Sequence, residues 1–315
     1  MKKNSKILVT GTNGLVGAAI LRILKEQNYR NLYYPTRKEL DLLNEKKVKN
    51  YLEKTKPEYV FSPAAYVGGI EANMKDPINF LSLNTKLQNN IILSCYDSGV
   101  NNFAFFGSSC IYPKYSKQPI KENELLNGKL ELTNEAYAVA KISGLKLCSY
   151  IRKLSNKNYF TLMPSNLYGQ NDNYDKNYSH VIPAILNKIK LAKKNNINEI
   201  KLYGTGKAKR EFLYVDDLAK AAIIAMKKNV KYSMINVGSG EEITINKLAK
   251  LILKISEYRA KISFDSKVPD GTPRKLLNSD RIKSLGWKPK ISLIKGIKKT
   301  YDFLEKDINI RLWKK

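Results

Sequence analysis

The chain is predicted to be an α/β protein: a doubly wound parallel sheet with helices on both faces, and a smaller, interleaved C-terminal α/β domain. Three observations predict it. Over the first half, short apolar runs alternate with segments of helical periodicity, the pattern of parallel strands joined by crossover helices. A glycine-rich turn follows the first apolar run and opens the first helix. After Pro164 the rhythm breaks and the remaining elements are shorter.

Each element has its own signal. Residues 6–10 (Lys-Ile-Leu-Val-Thr) are a short buried strand, and Gly11 to Gly17 turns into a helix lasting to about Gln27. A second strand surrounds Leu32, Tyr33 and Tyr34, a polar helix covers roughly residues 44–54, and residues 58–61 are a third strand. A long helix follows over about residues 78–98. Residues 103–106 are a fourth strand that ends at Gly107 and Ser108. The loop of residues 110–135, with Pro113, Pro119 and Gly128, leads to a helix over about 136–154 and a strand at 159–163. Residues 169–177 are polar and loop-like; a helix follows His180, and short strands are expected at 201–203, 234–237 and 261–264. The expected division is a dinucleotide-binding domain over 1–165, rejoined at about 212–255, and a substrate domain from 166–211 and 256–315. No internal repeat or low-complexity linker interrupts it.

Composition narrows the class. A chain of 315 residues with 43% hydrophobic content supports a real core. Met1 to Lys6 runs straight into residues 7–10 without the apolar region and cleavage site of a signal peptide. No apolar run approaches the ~18 residues of a membrane span, so no membrane partner is expected. The three cysteines, Cys95, Cys110 and Cys148, are odd in number and lack metal-ligand spacing. A reduced, cytoplasmic protein without a metal is the expectation. The net charge of +28 raises nucleic-acid binding. Yet the basic residues are mostly Lys, spread along the chain among Asn and Ile, so no nucleic-acid partner is expected. The densest cluster, Lys188, Lys190, Lys193 and Lys194, is either a solvated helix face or an attractor for a polyanionic small molecule such as a nucleotide diphosphate.

Gly11, Thr12, Asn13, Gly14, Leu15, Val16 and Gly17 sit where a strand opens into a helix. Glycines permit the tight turn and let backbone N–H groups approach a pyrophosphate at the helix N-terminus, a Rossmann-type arrangement. After the second strand an NAD enzyme usually has Asp or Glu for the ribose 2′-hydroxyl. Here the chain reads Tyr34-Pro35-Thr36-Arg37-Lys38. A guanidinium suits a 2′-phosphate, so Arg37 favours NADP, unless it is a surface charge. Asp41 could contact the adenine edge or cap the following helix.

Tyr137 and Lys141, four apart, share one helix face. A phenol has a pKa near ~10 and is a poor acid until tuned. A neighbouring ammonium is expected to lower it. Ser108, at a strand's carboxyl end, can hold the same carbonyl oxygen. Cys110 and His180, the chain's single histidine, add a thiol and an imidazole. Each also has a plainer reading, as a small buried hydrophobe and as a helix N-cap. Cys95 and Cys148 sit in apolar helical patterns and are expected in the core.

The order of Gly-rich turn, strand-end Ser and Tyr-x-x-x-Lys resembles the extended short-chain dehydrogenase/reductases. Longer stretches narrow the resemblance to the GDP-L-fucose synthases: residues 67–70 (Val-Gly-Gly-Ile), 107–113 (Gly-Ser-Ser-Cys-Ile-Tyr-Pro), 134–138 (Asn-Glu-Ala-Tyr-Ala), 166–169 (Asn-Leu-Tyr-Gly), 179–184 (Ser-His-Val-Ile-Pro-Ala), 210–212 (Arg-Glu-Phe) and 269–275 (Pro-Asp-Gly-Thr-Pro-Arg-Lys). The resemblance spans essentially the whole chain. It implies conversion of GDP-4-keto-6-deoxy-D-mannose to GDP-L-fucose with NADPH, by inversion at carbons 3 and 5 and reduction at carbon 4. It implies Cys110 as base, His180 as acid, and Ser108, Tyr137 and Lys141 as the reducing set. It places Gly107, Ser108, Tyr137, Lys141, Pro164, Asn166, Leu167 and His180 against the cofactor. Lys188, Tyr203, Arg210, Asp270 and Lys275 match positions that bind the GDP-sugar, Arg210 and Lys275 suiting the pyrophosphate and Asp270 hydroxyls or a guanine edge. It also implies a homodimer that pairs the helix of about 84–98 and the Tyr137–Lys141 helix of each subunit. Asn13, Lys188 and Tyr203 depart from a common Arg, Arg and Trp, so Arg37 would bear more of the NADP preference. A related GDP-4-keto sugar, a colitose or 6-deoxy-heptose precursor, is the first alternative. An NAD-dependent nucleotide-sugar epimerase, and a catalytically silent NADP-binding regulator or nucleic-acid binder, are the others.

Overall fold

The computed structural model describes residues 1–175 and 178–306; the end of the predicted 169–177 loop and residues 307–315 of the expected second domain lie outside the described residues. In chain order the first half contains β1 (Ile7–Val9), α1 (Leu15–Glu26), β2 (Leu32–Tyr33), α2 (Glu45–Thr55), β3 (Tyr59–Ser62), α3 (Ile70–Lys75), α4 (Pro77–Asp97), β4 (Asn102–Phe106), α5 (Glu135–Ser155) and β5 (Asn158–Pro164). The second half contains β6 (Asn166–Tyr168), α6 (Val181–Lys194), β7 (Glu199–Tyr203), β8 (Lys209–Tyr214), α7 (Val215–Lys228), β9 (Met234–Val237), β10 (Glu242–Thr244), α8 (Ile245–Ile255), β11 (Lys261–Asp265), β12 (Arg274–Lys275), α9 (Asp280–Ser284) and α10 (Leu293–Lys306).

Six strands form one sheet in the order β2-β1-β3-β4-β5-β9, with every pair parallel. Alternation along each strand sends side chains to opposite faces. Ile7, Val9, Phe61, Ala104 and Phe106 pack with α1 and α7, whereas Leu8, Val60, Phe103 and Phe105 pack with α2, α4 and α5. Both faces are therefore covered, as a parallel sheet requires. Cys95 and Cys148 are fully buried in the second of these layers, as expected.

The chain steps outward from β1 to β2, then recrosses to β3 on the other side of β1. That reversal opens a crevice at the carboxyl ends of β1 and β3, the place where such sheets bind ligands. A second core lies among α6, β7, β8, α8 and α10. There β8 is flanked by β10, β12 and β6, while β11 pairs with β7. Strand β9 returns the chain to the large sheet, but α8, inside the span expected to rejoin the first domain, packs on the second core. Helix α7 goes beyond the short elements expected after Pro164. Its buried residues run from Val215 to Met226 and are largely small, with four alanines among them. Among the described residues, no helix is long and apolar enough to cross a membrane.

Candidate active site

The site begins at the glycine turn. Gly11 has a φ of +63°, and a Cβ there would lie 3.0 Å from Ala64 Cα on the neighbouring strand end. A Cβ on Gly17 would come within 2.3 Å of the Gly11 carbonyl oxygen. Gly14 caps α1 without any side-chain bond, and the first turn holds no acidic residue. Leu15 and Val16 pack on the core, so Thr12, Asn13 and Gly14 form the outer part of the turn. Close-packed glycines before an uncapped helix N-terminus suit a dinucleotide pyrophosphate. Gly17→Ala meets backbone that cannot give way. It is expected to cost about 1–3 kcal/mol of stability and to weaken NADPH binding by about tenfold or more. A fluorescence titration with wild-type affinity would refute this reading of the turn.

Arg37 stands at the carboxyl end of β2, highly exposed, with Nε 3.9 Å from Asp41 Oδ1. So long and exposed an ion pair is weak and leaves the guanidinium available. Asp41 Oδ1 accepts from Leu43 N–H at 3.1 Å, whereas α2 is capped by Asn44, which accepts from Lys47 N–H at 3.0 Å. Capping α2 is therefore not the work of Asp41.

At the carboxyl end of β4, Gly107 is buried against Thr161 and Met163. Ser108 Oγ accepts from Cys110 N–H at 3.2 Å and starts the short 3₁₀ turn Ser109–Ile111. Cys110 is partly exposed, not a core residue. Its Sγ accepts from the Asn134 side-chain amide at 3.4 Å and from the Lys275 ammonium at 3.8 Å. Sequence reasoning assigned Lys275 to the pyrophosphate and gave Asn134 no role; the structure sets both on the sulfur. Both residues lie in stretches that carry the family resemblance, 134–138 and 269–275, but nothing in residue order brings either of them to Cys110.

Tyr137 and Lys141 lie in the first two turns of α5. Lys141 is 1% exposed and donates to the Phe106 carbonyl at 2.9 Å, with Nζ 4.6 Å from the Phe105 ring centre and 5.7 Å from that of Tyr137. Burial lowers its pKa to about 7. Tyr137 is pushed well up, first by burial and then by its neighbour Cys110. Burial thus outweighs the lowering expected from the neighbouring ammonium. The ammonium lies in a dry environment bound to a backbone carbonyl, and each group disfavours its own ion.

His180 occupies the N-cap position of α6, but its ring makes no capping bond. The side chain reaches solvent, and desolvation by the surrounding protein lowers its imidazole pKa. Among the described residues, no hydrogen bond joins its ring to Cys110. The loop that presents it rests on the Gly68–Gly69 turn. Gly69 N–H donates to Tyr178 O at 3.3 Å, and a Cβ on Gly69 would sit 2.9 Å from Ser179 O. Gly69→Ala must push the backbone next to His180. It is expected to reduce kcat by about 10²-fold, with NADPH affinity unchanged; unaltered kcat in the folded variant would remove this seat from the mechanism.

The remaining expected residues form two further groups. Lys188 Nζ lies 4.9 Å from the Tyr203 ring centre and donates to Lys201 O at 2.6 Å. Tyr203 is 55% exposed, which rules out core packing. Arg210 donates through Nη2 to Asp270 O at 2.9 Å. The Asp270 carboxylate accepts from Thr205 N–H at 2.8 Å and Thr205 Oγ1 at 2.5 Å. Pro164 ends β5 opposite Val237. Asn166 donates to Glu211 O at 2.8 Å, and Leu167 packs on the first core.

The NAD dependent epimerase/dehydratase family matches residues 7–238. A protein of Arabidopsis thaliana named putative GDP-L-fucose synthase 2 is 46% identical over 303 residues, covering 96% of this chain and 92% of its own length. The GDP-L-colitose synthase of Yersinia pseudotuberculosis is 40% identical over 306 residues, covering 96% and 99%. The solved structure of a GDP-mannoheptose C4 reductase from Campylobacter jejuni with NADP bound superposes with a TM-score of 0.88 at 35% identity, covering 97% of this chain and 99% of that one. The glycine turn, the Tyr137–Lys141 pair and these matches lead to one conclusion: the chain belongs to the NAD-dependent epimerase/dehydratase family.

Proposed function

We propose that this protein is a GDP-L-fucose synthase, which inverts carbons 3 and 5 of GDP-4-keto-6-deoxy-D-mannose and reduces carbon 4 with NADPH. The observation that carries the reading is the environment of Cys110. A simple reductase needs Ser108, Tyr137 and Lys141 alone. Here a partly exposed thiol, with an amide and an ammonium directed at its sulfur, stands two residues after Ser108. That is what deprotonation beside a ketone requires. Relatives named GDP-L-fucose synthase over nearly the full chain support the same reading.

The residues divide the work by the chemistry each can perform. The ketone acidifies the protons on carbons 3 and 5. Cys110 removes such a proton from one face and His180 returns one on the other. Ser108 and Tyr137 hydrogen-bond the ketone oxygen and hold the enolate charge. NADPH supplies the hydride for carbon 4 when bound, on the glycine turn of residues 11–17 and beside Arg37. Tyr137 then gives its proton to the oxygen, which a phenol kept protonated by burial is ready to do. Lys188, Tyr203, Arg210 and Asp270 receive the GDP part, within a second domain built on β6–β8, α6 and the segment after β10. We further propose a cytoplasmic homodimer. Helices α4 and α5 pack on the sheet, yet Leu81, Leu93 and Tyr96 on one and Val139, Tyr150 and Leu154 on the other stay exposed, an apolar face suited to a second copy.

The test is NADPH oxidation with GDP-4-keto-6-deoxy-D-mannose, with product stereochemistry read by NMR. GDP-L-fucose is expected. NADPH binding without turnover would move the substrate to a related GDP-4-keto sugar, a reading favoured by the Lys188–Tyr203 pair, where the departures from the common Arg and Trp meet.

A further inference from the structure

We propose that Glu211 is a positioning residue for the epimerising thiol: its carboxylate pins the strap of residues 274–278 so that the Lys275 ammonium stays on Cys110. The strap has little structure of its own. Strand β12 is two residues long and pairs with β8 only through Lys209↔Arg274 and Arg210↔Lys275. Beyond it, the Leu277 N–H donates to Glu211 Oε2 at 3.0 Å, while the other oxygen, Oε1, accepts from Gly240 N–H at 2.6 Å. A Cβ on Gly238 would lie 2.3 Å from Oε1, so the turn after β9 is closed down on the carboxylate. On its other edge the strap is stitched to the loop that follows Cys110. Ile120 N–H donates to Leu276 O and Asn278 N–H to Ile120 O, each at 2.8 Å. The Gln118 side chain adds bonds from Leu276 N–H at 2.9 Å and to Arg274 O at 3.1 Å. Glu211 is therefore the point where β8, the β9 turn and the Lys275 strap are joined.

The carboxylate is 0% exposed and forms no salt bridge among the described residues. Burial pushes its pKa up to about 7, against two N–H donors that favour the ion. A buried carboxyl group is costly to hold even with both oxygens hydrogen-bonded. A neutral side chain would serve a purely structural joint with less cost, so the two-oxygen geometry is what Glu supplies. The consequence falls on Lys275, the next residue but one before Leu277, whose ammonium is 3.8 Å from Sγ. A cation beside a thiol favours the reactive thiolate.

The inference deepens the reading of Cys110 as base, but its test needs no sugar. Cys95 and Cys148 are fully buried, so the alkylation rate of the native protein with iodoacetamide reports Cys110. Rates are read by mass spectrometry at pH 8 for the wild type, Glu211→Gln, Lys275→Met and the double variant. Glu211→Gln keeps the volume but offers one acceptor in place of two. Each single variant is expected to slow alkylation by about tenfold, the scale of losing one hydrogen bond to a charged group. The double variant should be no slower than Lys275→Met, because Glu211 acts through Lys275. NADPH affinity should stay within about twofold, since the glycine turn is untouched. Wild-type reactivity in Glu211→Gln, or effects that add in the double variant, would overturn the proposal. If Glu211→Gln fails to fold, Glu211→Asp, which draws both oxygens back by one methylene, is read by the same two outcomes. Failure of the wild type to turn over the GDP-keto sugar would count against the proposed function alone.

Discussion

Cys110→Ser is expected to suppress exchange of solvent deuterium into carbons 3 and 5 by about 10²–10⁴-fold, the range for losing a positioned base. The substitution is close to isosteric, and the bond to Ser108 Oγ comes from the Cys110 backbone N–H, which it leaves intact. What changes is the atom facing Asn134 and Lys275. A hydroxyl gives up its proton far less readily than a thiol, so both amide and ammonium would then face a neutral oxygen. NADPH binding should be unaffected, and some direct reduction of the unepimerised ketone should survive. Exchange monitored by NMR in D₂O separates the steps. Wild-type exchange would remove Cys110 from the mechanism, and loss of NADPH binding would mean that the loop after β4 had collapsed.

Tyr137→Phe should act on the other half-reaction, lowering reduction at carbon 4 by about 10²–10⁴-fold. Its phenol is held protonated by burial, so it is available as an acid without help. Lys141 enters through its charge. Its pKa of about 7 lies below the ordinary value because burial disfavours the ammonium. Below pH 7 the group is charged and can favour negative charge arising on the Tyr137 oxygen; above pH 7 it is neutral and that help is gone. For the free enzyme, kcat/KM for reduction should therefore fall as pH rises through about 7. Lys141→Met should be slower and should lack that limb. A profile with the same limb in Lys141→Met would assign it to another group, and near wild-type NADPH oxidation by Tyr137→Phe would sink its role as the acid.

Much of the molecule was legible in residue order because the signals were local. A strand, a glycine turn and a helix lie within residues 7–26, and the site residues at the ends of β4 and the start of α5 follow from the same alternation. The long helices α4 and α5 begin and end within a residue or so of their expected limits, for each is a run of about twenty residues bounded by turns and strands. Helix α7 was not among the elements read from residue order, although it has a polar stripe of its own. The Lys275–Cys110 contact was not legible either. It joins positions 165 residues apart through a strap held by its pairing with β8, by the loop of Gln118 and Ile120 and by the buried Glu211 carboxylate, none of them near it in sequence.

The sequence by itself determined the fold class and the places of Ser108, Tyr137 and Lys141 at one strand end and one helix start, together with a thiol and an imidazole. These follow from residue type and short spacing, which act over one turn or one strand end. Tertiary structure alone decided which ions those groups favour. It put Lys141 in a dry layer against Phe105 and the Phe106 carbonyl, held Tyr137 above its ordinary range by burial, and set the Lys275 ammonium 3.8 Å from the Cys110 sulfur. The physical reason is that the balance between ion and neutral form depends on burial and on the nearest charge. Both are properties of what packs around a side chain and are absent from its neighbours in sequence.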